Sequence, residues 1–233
     1  MDCDDDELEA TRNDREATEQ VEIISKEIYP KTQRVPVKGE TVQITEKLDG
    51  SNLVIFKLNG RLYIAQRNTI ILVDAIEVHK VLSQKLYKGL YQWIIDHKAD
   101  LEKELYEGSA ICGEWLGMGK LKYSVDEFDK RFYMFAKARI TPEFELEKIM
   151  YNHDLFIYPF ESKVIPSYIG IVPVVADLKV IPSKEHLDSL YEKYTKKVGR
   201  SVEGFVVNYR DIVTKYVRMK NGKLQDHFDW EGK

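Results

Sequence analysis

Residues 46–52, EKLDGSN, place a lysine, an aspartate and a glycine between two apolar-alternating runs, TVQIT and LVIFKL. None of the three suits the interior of a strand. A lysine amine becomes a nucleophile when desolvation, neighbouring cations or a metal lower its pKa. Asp49 alone would raise the pKa of Lys47, so it is better suited to hold a metal ion or a ribose. On these residues alone, an exposed Lys–Asp pair before a turn is an equally good interpretation.

Two further carboxylates and a basic run could serve the same chemistry. Glu114 in GEW (113–115) and Glu203 in EGFVV (203–207) each adjoin a glycine in an otherwise apolar stretch. A lone charge in such a stretch is costly unless it faces solvent or a site. In KYVRMK (215–220), Arg218 and Lys220 share one face of a regular strand and Lys215 lies on the other. Cations on one face could hold a triphosphate.

The elements that must position these residues are mostly strands. Asn59-Gly60 predicts a tight hairpin turn, and a helical period predicts one or two amphipathic helices within 77–107. Pro142 predicts a short helix over 142–151, and Ser183 predicts the N-cap of a helix over 183–198. The simplest architecture is one α+β domain built on antiparallel strands. Strand patterns fall at 40–45, 53–58, 61–65, 110–116, 131–138, 202–208 and 213–219.

Composition excludes several classes of protein. The chain has 233 residues, of which 43% are hydrophobic, 32% charged and 11% aromatic. This composition is typical of a globular protein with one core. No run approaches the roughly 18 apolar residues that a membrane span needs, and the acidic N-terminus is no targeting peptide. Two cysteines, Cys3 and Cys112, indicate a reducing, cytoplasmic compartment.

Charge is divided unevenly along the chain. Residues 1–22 carry ten acidic and two basic side chains, a net −8, which leaves +4 for the remainder of a chain whose net charge is −4. The composition of residues 1–22 is typical of a flexible, solvated segment. A mildly basic body is compatible with a phosphate-rich partner.

Five short motifs then occur in a fixed order. EKLDGSN resembles motif I (KxDG) of the covalent nucleotidyltransferases, which include ATP-dependent DNA ligases, RNA ligases and mRNA capping enzymes. GEW is similar to motif III, FYMFA to motif IIIa, EGFVV to motif IV and VRMK to motif V, over residues 44–220. The residues flanking Lys47 most resemble the polynucleotide RNA ligase branch. The resemblance implies an ATP-grasp-like adenylation domain over 23–233, with antiparallel sheets and flanking helices.

The resemblance also implies a role for each matching residue. Lys47 would attack the α-phosphorus of ATP and carry AMP, Lys220 would contact the α-phosphate, and Asp49 would support this chemistry. Mg²⁺ or Mn²⁺ would be held by Glu203 and Asp49. Glu114 would bind the ribose, and Phe135, or less well Phe132, would stack on adenine. The nucleotide-binding set is Glu46, Asn52, Arg67, Glu114, Phe135, Arg218 and Lys220.

The implied partners are RNA ends, a 5′-phosphate and a 3′-hydroxyl, with a nicked duplex as a further form. Small ligases of phages and bacteria are the nearest resemblance, and no membrane partner is implied. Only 13 residues follow Lys220, too few for a C-terminal OB domain. A stand-alone catalytic domain, a truncated form of a longer protein, or a subunit whose missing domain comes from a partner protein is therefore expected.

Two departures from the family pattern keep alternatives open. Arg218 stands where motif V usually has lysine, and Ala136 stands where motif IIIa often has an acid. Arginine keeps the charge but is not equivalent to lysine at a catalytic contact. The alternatives are a minimal ATP-dependent DNA ligase, a GTP-using capping-type enzyme, and a nucleotide- or RNA-end-binding module that has lost its chemistry.

Overall fold

The computed structural model describes residues 23–29, 42–75, 86–117, 121, 123–151, 153–209, 212–220 and 223–224. The acidic segment 1–22 and the first part of the helical pattern at 77–107 therefore lie outside the described residues. The elements are β1 (Ile23–Ile24), β2 (Val42–Lys47), β3 (Ser51–Leu58), β4 (Arg61–Gln66), β5 (Thr69–Leu72), α1 (Leu90–Glu104), β6 (Ser109–Trp115), β7 (Phe132–Ile140), β8 (Leu146–Met150), β9 (Ile169–Ile171), β10 (Val174–Leu178), α2 (Lys184–Val198), β11 (Gly204–Tyr209), β12 (Ile212–Val217), β13 (Met219–Lys220) and β14 (Lys223–Leu224).

Most of these strands belong to two sheets. The large sheet has the order β1-β5-β4-β3-β6-β7-β8, with β9 also paired to β7, and the small sheet has the order β10-β2-β11-β12. Among the described strands, every pairing is antiparallel except the parallel pairing of β7 with β9. The predicted α+β class and antiparallel architecture are confirmed.

The two α-helices of the described residues cover the outer faces of the two sheets. Leu90, Trp93 and Ile94 of α1 pack on one face of the large sheet, and the spacing of these buried residues is that of one helical stripe. Leu187 and Tyr191 of α2 pack in the same way on the small sheet. The inner faces of the two sheets meet in a second apolar cluster. Within the described residues, no helix is long and apolar enough to cross a bilayer.

Turn and cap signals in the sequence correspond to observed geometry. The β3–β4 hairpin turns at Asn59 and Gly60, whose φ angles of 53° and 70° are those the predicted turn requires. Ser183 is the N-cap of α2, and its hydroxyl accepts a hydrogen bond from the His186 N–H at 3.2 Å. Both predictions are confirmed.

The helix predicted over 142–151 is wrong, because this stretch forms a turn followed by strand β8. Phe144 adopts a φ of 60°, and hydrogen bonds between Thr141 and Glu145 close the turn. β8 then pairs with β7 and packs Leu146 against the inner core. Pairing and burial at the sheet edge therefore override the helix-forming composition of the segment.

Candidate active site

A cavity of about 480 Å³ lies between the inner faces of the two sheets, where the chain passes from β2 to β3. Lys47 ends β2 in the small sheet, and Ser51 begins β3 in the large sheet. Residues 48–50 make the crossing in a bend. A Cβ on Gly50 would lie 2.6 Å from the Trp115 carbonyl oxygen and 2.8 Å from the Glu114 Cγ. Glycine is therefore required at this point of the KxDG motif because the backbones approach so closely.

Lys47 projects into this cavity and is paired with Glu203. Its Nζ lies 2.7 Å from the Glu203 Oε2, and Glu203 precedes Gly204, the residue that pairs with Lys47 across β2 and β11. Burial alone would lower the pKa of Lys47, but the negative charges of Glu203, Glu114 and Asp49 hold that pKa above its ordinary value. The amine is therefore protonated in this state.

Glu114 stands on β6 directly opposite Asn52 of β3, and both line the cavity. Burial raises the pKa of Glu114 to about 7, with a further increase from Glu203 and Asp49. The positive charge of Lys47 and a hydrogen bond from the Gly50 backbone N–H oppose the shift. Burial likewise raises the pKa of Glu203, against the opposing effect of Lys47. Glu114 therefore titrates near neutral pH.

Asp49 is held by the segment that follows β6. Its Oδ2 accepts a hydrogen bond from the Leu121 N–H at 2.6 Å, and its own N–H donates to the Tyr123 hydroxyl at 2.6 Å. Among the described residues, no group of three or more Asp, Glu, His or Cys side chains comes together as a metal site. A hard cation here would therefore need phosphate or water oxygens beside the carboxylates, as Mg²⁺ usually does.

The other end of the cavity is aromatic. Residue 135 has no partner on β6, because Cys112 pairs with Ala136 and Gly113 pairs with Met134. Such a bulge redirects a side chain, and Phe135 lines the cavity. Phe132, the second candidate for stacking, is fully buried on the α1 side of the sheet. Ala136 is fully buried in the core between the sheets.

Two tyrosines complete this aromatic end. Tyr29 and Tyr151 line the cavity, and their hydroxyl oxygens lie 2.8 Å apart. Tyr29 makes an edge contact with Phe135, with ring centroids 5.4 Å apart. Val206 and Val213 of the small sheet border the same region. A flat apolar ring would be enclosed on several sides here.

Two cations border the polar part of the cavity. Arg67 lies in the turn between β4 and β5, and Lys215 lies on β12 opposite Val206 of β11. Lys215 is near enough to Glu203 to offset part of the rise in the pKa of that carboxyl. Of the basic side chains in KYVRMK that the structure describes, Lys215 is the one that lines the cavity.

Arg218 lies on the other side of the small sheet. Its Nη1 donates to the Asp188 Oδ1 of α2 at 2.7 Å, and its guanidinium lies over the Tyr191 ring at 5.4 Å. The backbone of Lys220 lies in β13, and its side chain is outside the described residues. The structure therefore places Arg218 outside the cavity, and the predicted role of Lys220 stays a prediction.

Glu46 also turns away from Lys47, as adjacent residues of a strand do. Its carboxylate is fully buried, receives both Nη atoms of Arg200 at 2.6 and 2.8 Å, and accepts a hydrogen bond from the Tyr194 hydroxyl at 2.8 Å. These contacts lie on the α2 side of the small sheet. The backbone of Glu46 borders the cavity, but its charge is already balanced.

Besides Glu46, five of the residues predicted from the sequence line the cavity, and the prediction missed other residues that line or support it. Lys47, Asn52, Glu114 and Phe135 line the cavity together with Arg67. The missed residues are Tyr29, Tyr151, Lys215 and Arg200. For Lys215 the signal existed, because it lies on the strand face opposite to Arg218. The other three have no local signal, since only the tertiary fold brings them to the site.

A comparison with models of protein families identifies the family to which the sequence motifs point. The model of the RNA ligase family matches residues 40–220, well over half of the chain. The chain belongs to the RNA ligase family. The expected resemblance to this family is confirmed. No curated protein matches the chain.

Solved RNA ligase structures from Naegleria gruberi are similar at low identity. A mutant solved with AMP and Mn has a TM-score of 0.48 and 18% identity, and covers 83% of this chain and 59% of that chain. A mutant with ATP and Mn has a TM-score of 0.45 and 18% identity, with 85% and 62% covered. A mutant without ligand has a TM-score of 0.44 and 19% identity, with 77% and 50% covered. This chain thus spans between half and about three fifths of the length of those proteins.

Proposed function

We propose that this RNA ligase family member is an ATP-dependent enzyme that forms a covalent lysyl-AMP at Lys47. The observation that carries the proposal is the position of the Lys47 amine. It enters a cavity of about 480 Å³ whose lining also includes the cations Arg67 and Lys215 and the ring of Phe135. This size is within the range of small-ligand sites. A triphosphate and an apolar base would match the two ends.

In the first step, the Lys47 nitrogen attacks the α-phosphorus of ATP, a P–N bond forms, and pyrophosphate leaves with the electrons of the broken P–O bond. The amine must first lose a proton, and Glu203, 2.7 Å away, is the nearest acceptor. Arg67 and Lys215 would neutralise phosphate charge. Mg²⁺ or Mn²⁺, when bound, would add Lewis-acid charge neutralisation, and Glu203 and Asp49 have the carboxylate oxygens that such cations prefer.

The later steps follow from the chemistry of the adduct. A 5′-phosphate oxygen of an RNA end would attack the AMP phosphorus and release Lys47. A 3′-hydroxyl would then attack the activated 5′-phosphate, AMP would leave, and a phosphodiester bond would form. Glu114 and Asn52 would bind the ribose and the reacting phosphate. A single adenylation domain over residues 23–233 belongs to the same proposal.

Joining of RNA ends tests the complete reaction. The purified chain is incubated with ATP, Mg²⁺ or Mn²⁺, and a labelled RNA that carries a 5′-phosphate and a 3′-hydroxyl, either single-stranded or in a nicked duplex. We expect ATP-dependent joined RNA from the wild type and from Lys103→Ala, a control at an exposed lysine of α1, but none from Lys47→Ala. Joining of nicked DNA with no joining of RNA would contradict the RNA substrate and support a minimal DNA ligase.

A nucleotide-binding module without transfer chemistry is the second candidate. The Lys47–Glu203 ion pair favours it, because it holds the amine in its protonated, non-nucleophilic form. This candidate predicts ATP binding by calorimetry with no covalent AMP under any metal condition. The enzyme predicts both binding and transfer.

A further inference from the structure

One arginine outside the cavity contacts both Glu46, which precedes the motif lysine, and the segment that holds Asp49. Arg200 follows α2, and its guanidinium binds the Glu46 carboxylate through both Nη atoms, as described above. Its Nε donates to the Glu127 Oε2 at 2.6 Å. The group is also stacked near the Phe128 ring, with its Cζ 4.8 Å from the centroid. Each nitrogen of the guanidinium therefore donates a hydrogen bond, and these bonds fix the orientation of the group.

The first connection runs from Arg200 to Lys47 through β2. The Glu46 carboxylate has no exposed surface, so it must remain with its cation. Glu46 and Lys47 are consecutive strand residues, and fixing one side chain fixes the opposite direction of the other. The contacts of Arg200 therefore support the stretch of β2 from which Lys47 enters the cavity.

The second connection runs from Arg200 to Asp49. Glu127 and Phe128 belong to the segment that also holds Tyr123, and Arg200 lies 5.5 Å from the Tyr123 ring. Tyr123 packs on Phe128, with ring centroids 4.7 Å apart, and its hydroxyl accepts the Asp49 N–H. The same cation thus supports the residues on both sides of Leu48.

We infer that Arg200 is a positioning residue for AMP transfer, acting through Glu46 on Lys47 and through Tyr123 on Asp49. This inference rests on the proposed function. Arg200 does not line the cavity, so it is not expected to contribute to ATP affinity. Its effect should appear in the rate at which a bound nucleotide reacts, because small displacements of a nucleophile are costly to rate.

The test measures single-turnover AMP transfer in four forms of the full chain: wild type, Arg200→Lys, Tyr123→Phe and Tyr191→Phe. Arg200→Lys keeps the charge beside Glu46 but cannot form the two-pronged contact. Tyr123→Phe removes only the hydroxyl that accepts the Asp49 N–H. Tyr191→Phe is the matched control, because it removes a hydrogen bond between α2 and the Val202 carbonyl without touching Glu46. Thermal midpoints are recorded, and rates are measured well below the lowest midpoint.

We expect Arg200→Lys to lower the maximal rate by about 10- to 100-fold, with the half-saturating ATP concentration within about twofold of wild type. Tyr123→Phe should lower the rate by about three- to tenfold. Tyr191→Phe should lower the thermal midpoint but leave the rate within about twofold of wild type.

Unchanged rates in Arg200→Lys and Tyr123→Phe would overturn the inference, as would an equal loss of rate in Tyr191→Phe. If Arg200→Lys does not fold, the inference is tested by comparing the AMP-transfer rate of Tyr123→Phe with that of Tyr191→Phe. A wild-type protein that forms no lysyl-AMP would instead refute the proposed function, so the two failures are distinguishable.

Discussion

Two ion pairs stand on consecutive residues of β2 and point in opposite directions. Glu46 is fully buried and bound by Arg200 through two contacts, with a tyrosine hydroxyl as a third partner. Lys47 is about a quarter exposed and has one contact, with Glu203, in a cavity. The first pair cannot separate without leaving a buried charge. The second can exchange its partner for a ligand, which is what a reacting group requires.

The difference shows how one short motif can carry both structure and chemistry. Residues of the motif that face α2 are fixed by side chains from distant parts of the sequence. The residue that faces the cavity is surrounded by groups whose charges depend on pH and on what is bound. Rigid support on one face and adaptable charge on the other are both needed to present a nucleophile.

The largest expected difference between the two pairs is in stability. Arg200→Met should lower the free energy of unfolding by about 3–5 kcal/mol, because it leaves the Glu46 carboxylate buried without a cation. Lys47→Met should change it by about 1 kcal/mol or less, since Glu203 is partly exposed and can take a proton. Urea denaturation followed by circular dichroism measures both.

A double variant, Glu46→Met with Arg200→Met, provides the control for this measurement. It should be more stable than Arg200→Met alone, because no uncompensated charge remains. Equal losses for Arg200→Met and Lys47→Met would show that the two pairs do not differ in the way described.

The next effect concerns the cavity charges. The folded-state pKa of Glu114 is about 7, above its ordinary value of 4.5, so the folded state binds the proton more tightly than the unfolded state. Glu114 therefore lowers stability as pH rises from about 4.5 to 7. The free energy of unfolding of the wild type should fall between pH 5 and pH 8. That of Glu114→Gln should fall by about 1–2 kcal/mol less.

Parallel urea titrations at the two pH values test this, with the exposed Glu192→Gln as the control. A Glu114→Gln variant whose pH dependence matches that of wild type would mean that the cavity does not raise the pKa of this carboxyl.

The smallest expected effect separates the two faces of the last strand. Lys215 lines the cavity, whereas Arg218 is bound to Asp188. Lys215→Gln should raise the half-saturating ATP concentration for AMP transfer about tenfold, the usual loss for one charge-assisted contact. Arg218→Gln should raise it less than about threefold. A larger effect of Arg218→Gln than of Lys215→Gln would restore Arg218 as the phosphate contact.

The sequence predicted the elements whose signals are local. The Asn59-Gly60 hairpin, the Ser183 cap and the strands around the KxDG motif depend on turn geometry, capping and period-two alternation, and all are confirmed. The helix predicted after Pro142 was wrong, because the pairing of β8 with β7 decides that segment. Local propensity does not encode such a pairing.

The site was predicted less completely than the fold. Strand alternation alone separates Lys215 from Arg218, but it does not say which face meets the cavity. The bulge at Phe135 changes the alternation of β7 and becomes visible only through its register with β6. Arg200, Tyr29 and Tyr151 lie 153, 18 and 104 residues from Lys47 along the chain, and their roles depend on tertiary packing.

The most direct test of the central claim is the intact mass of the purified protein. It is measured before and after incubation with ATP and Mg²⁺ or Mn²⁺, for the wild type and for Lys47→Ala. The proposal predicts a gain of one AMP in the wild type and no gain in the variant. No gain in the wild type with any nucleotide and metal, or an equal gain in Lys47→Ala, would contradict the assignment of Lys47 as the nucleophile.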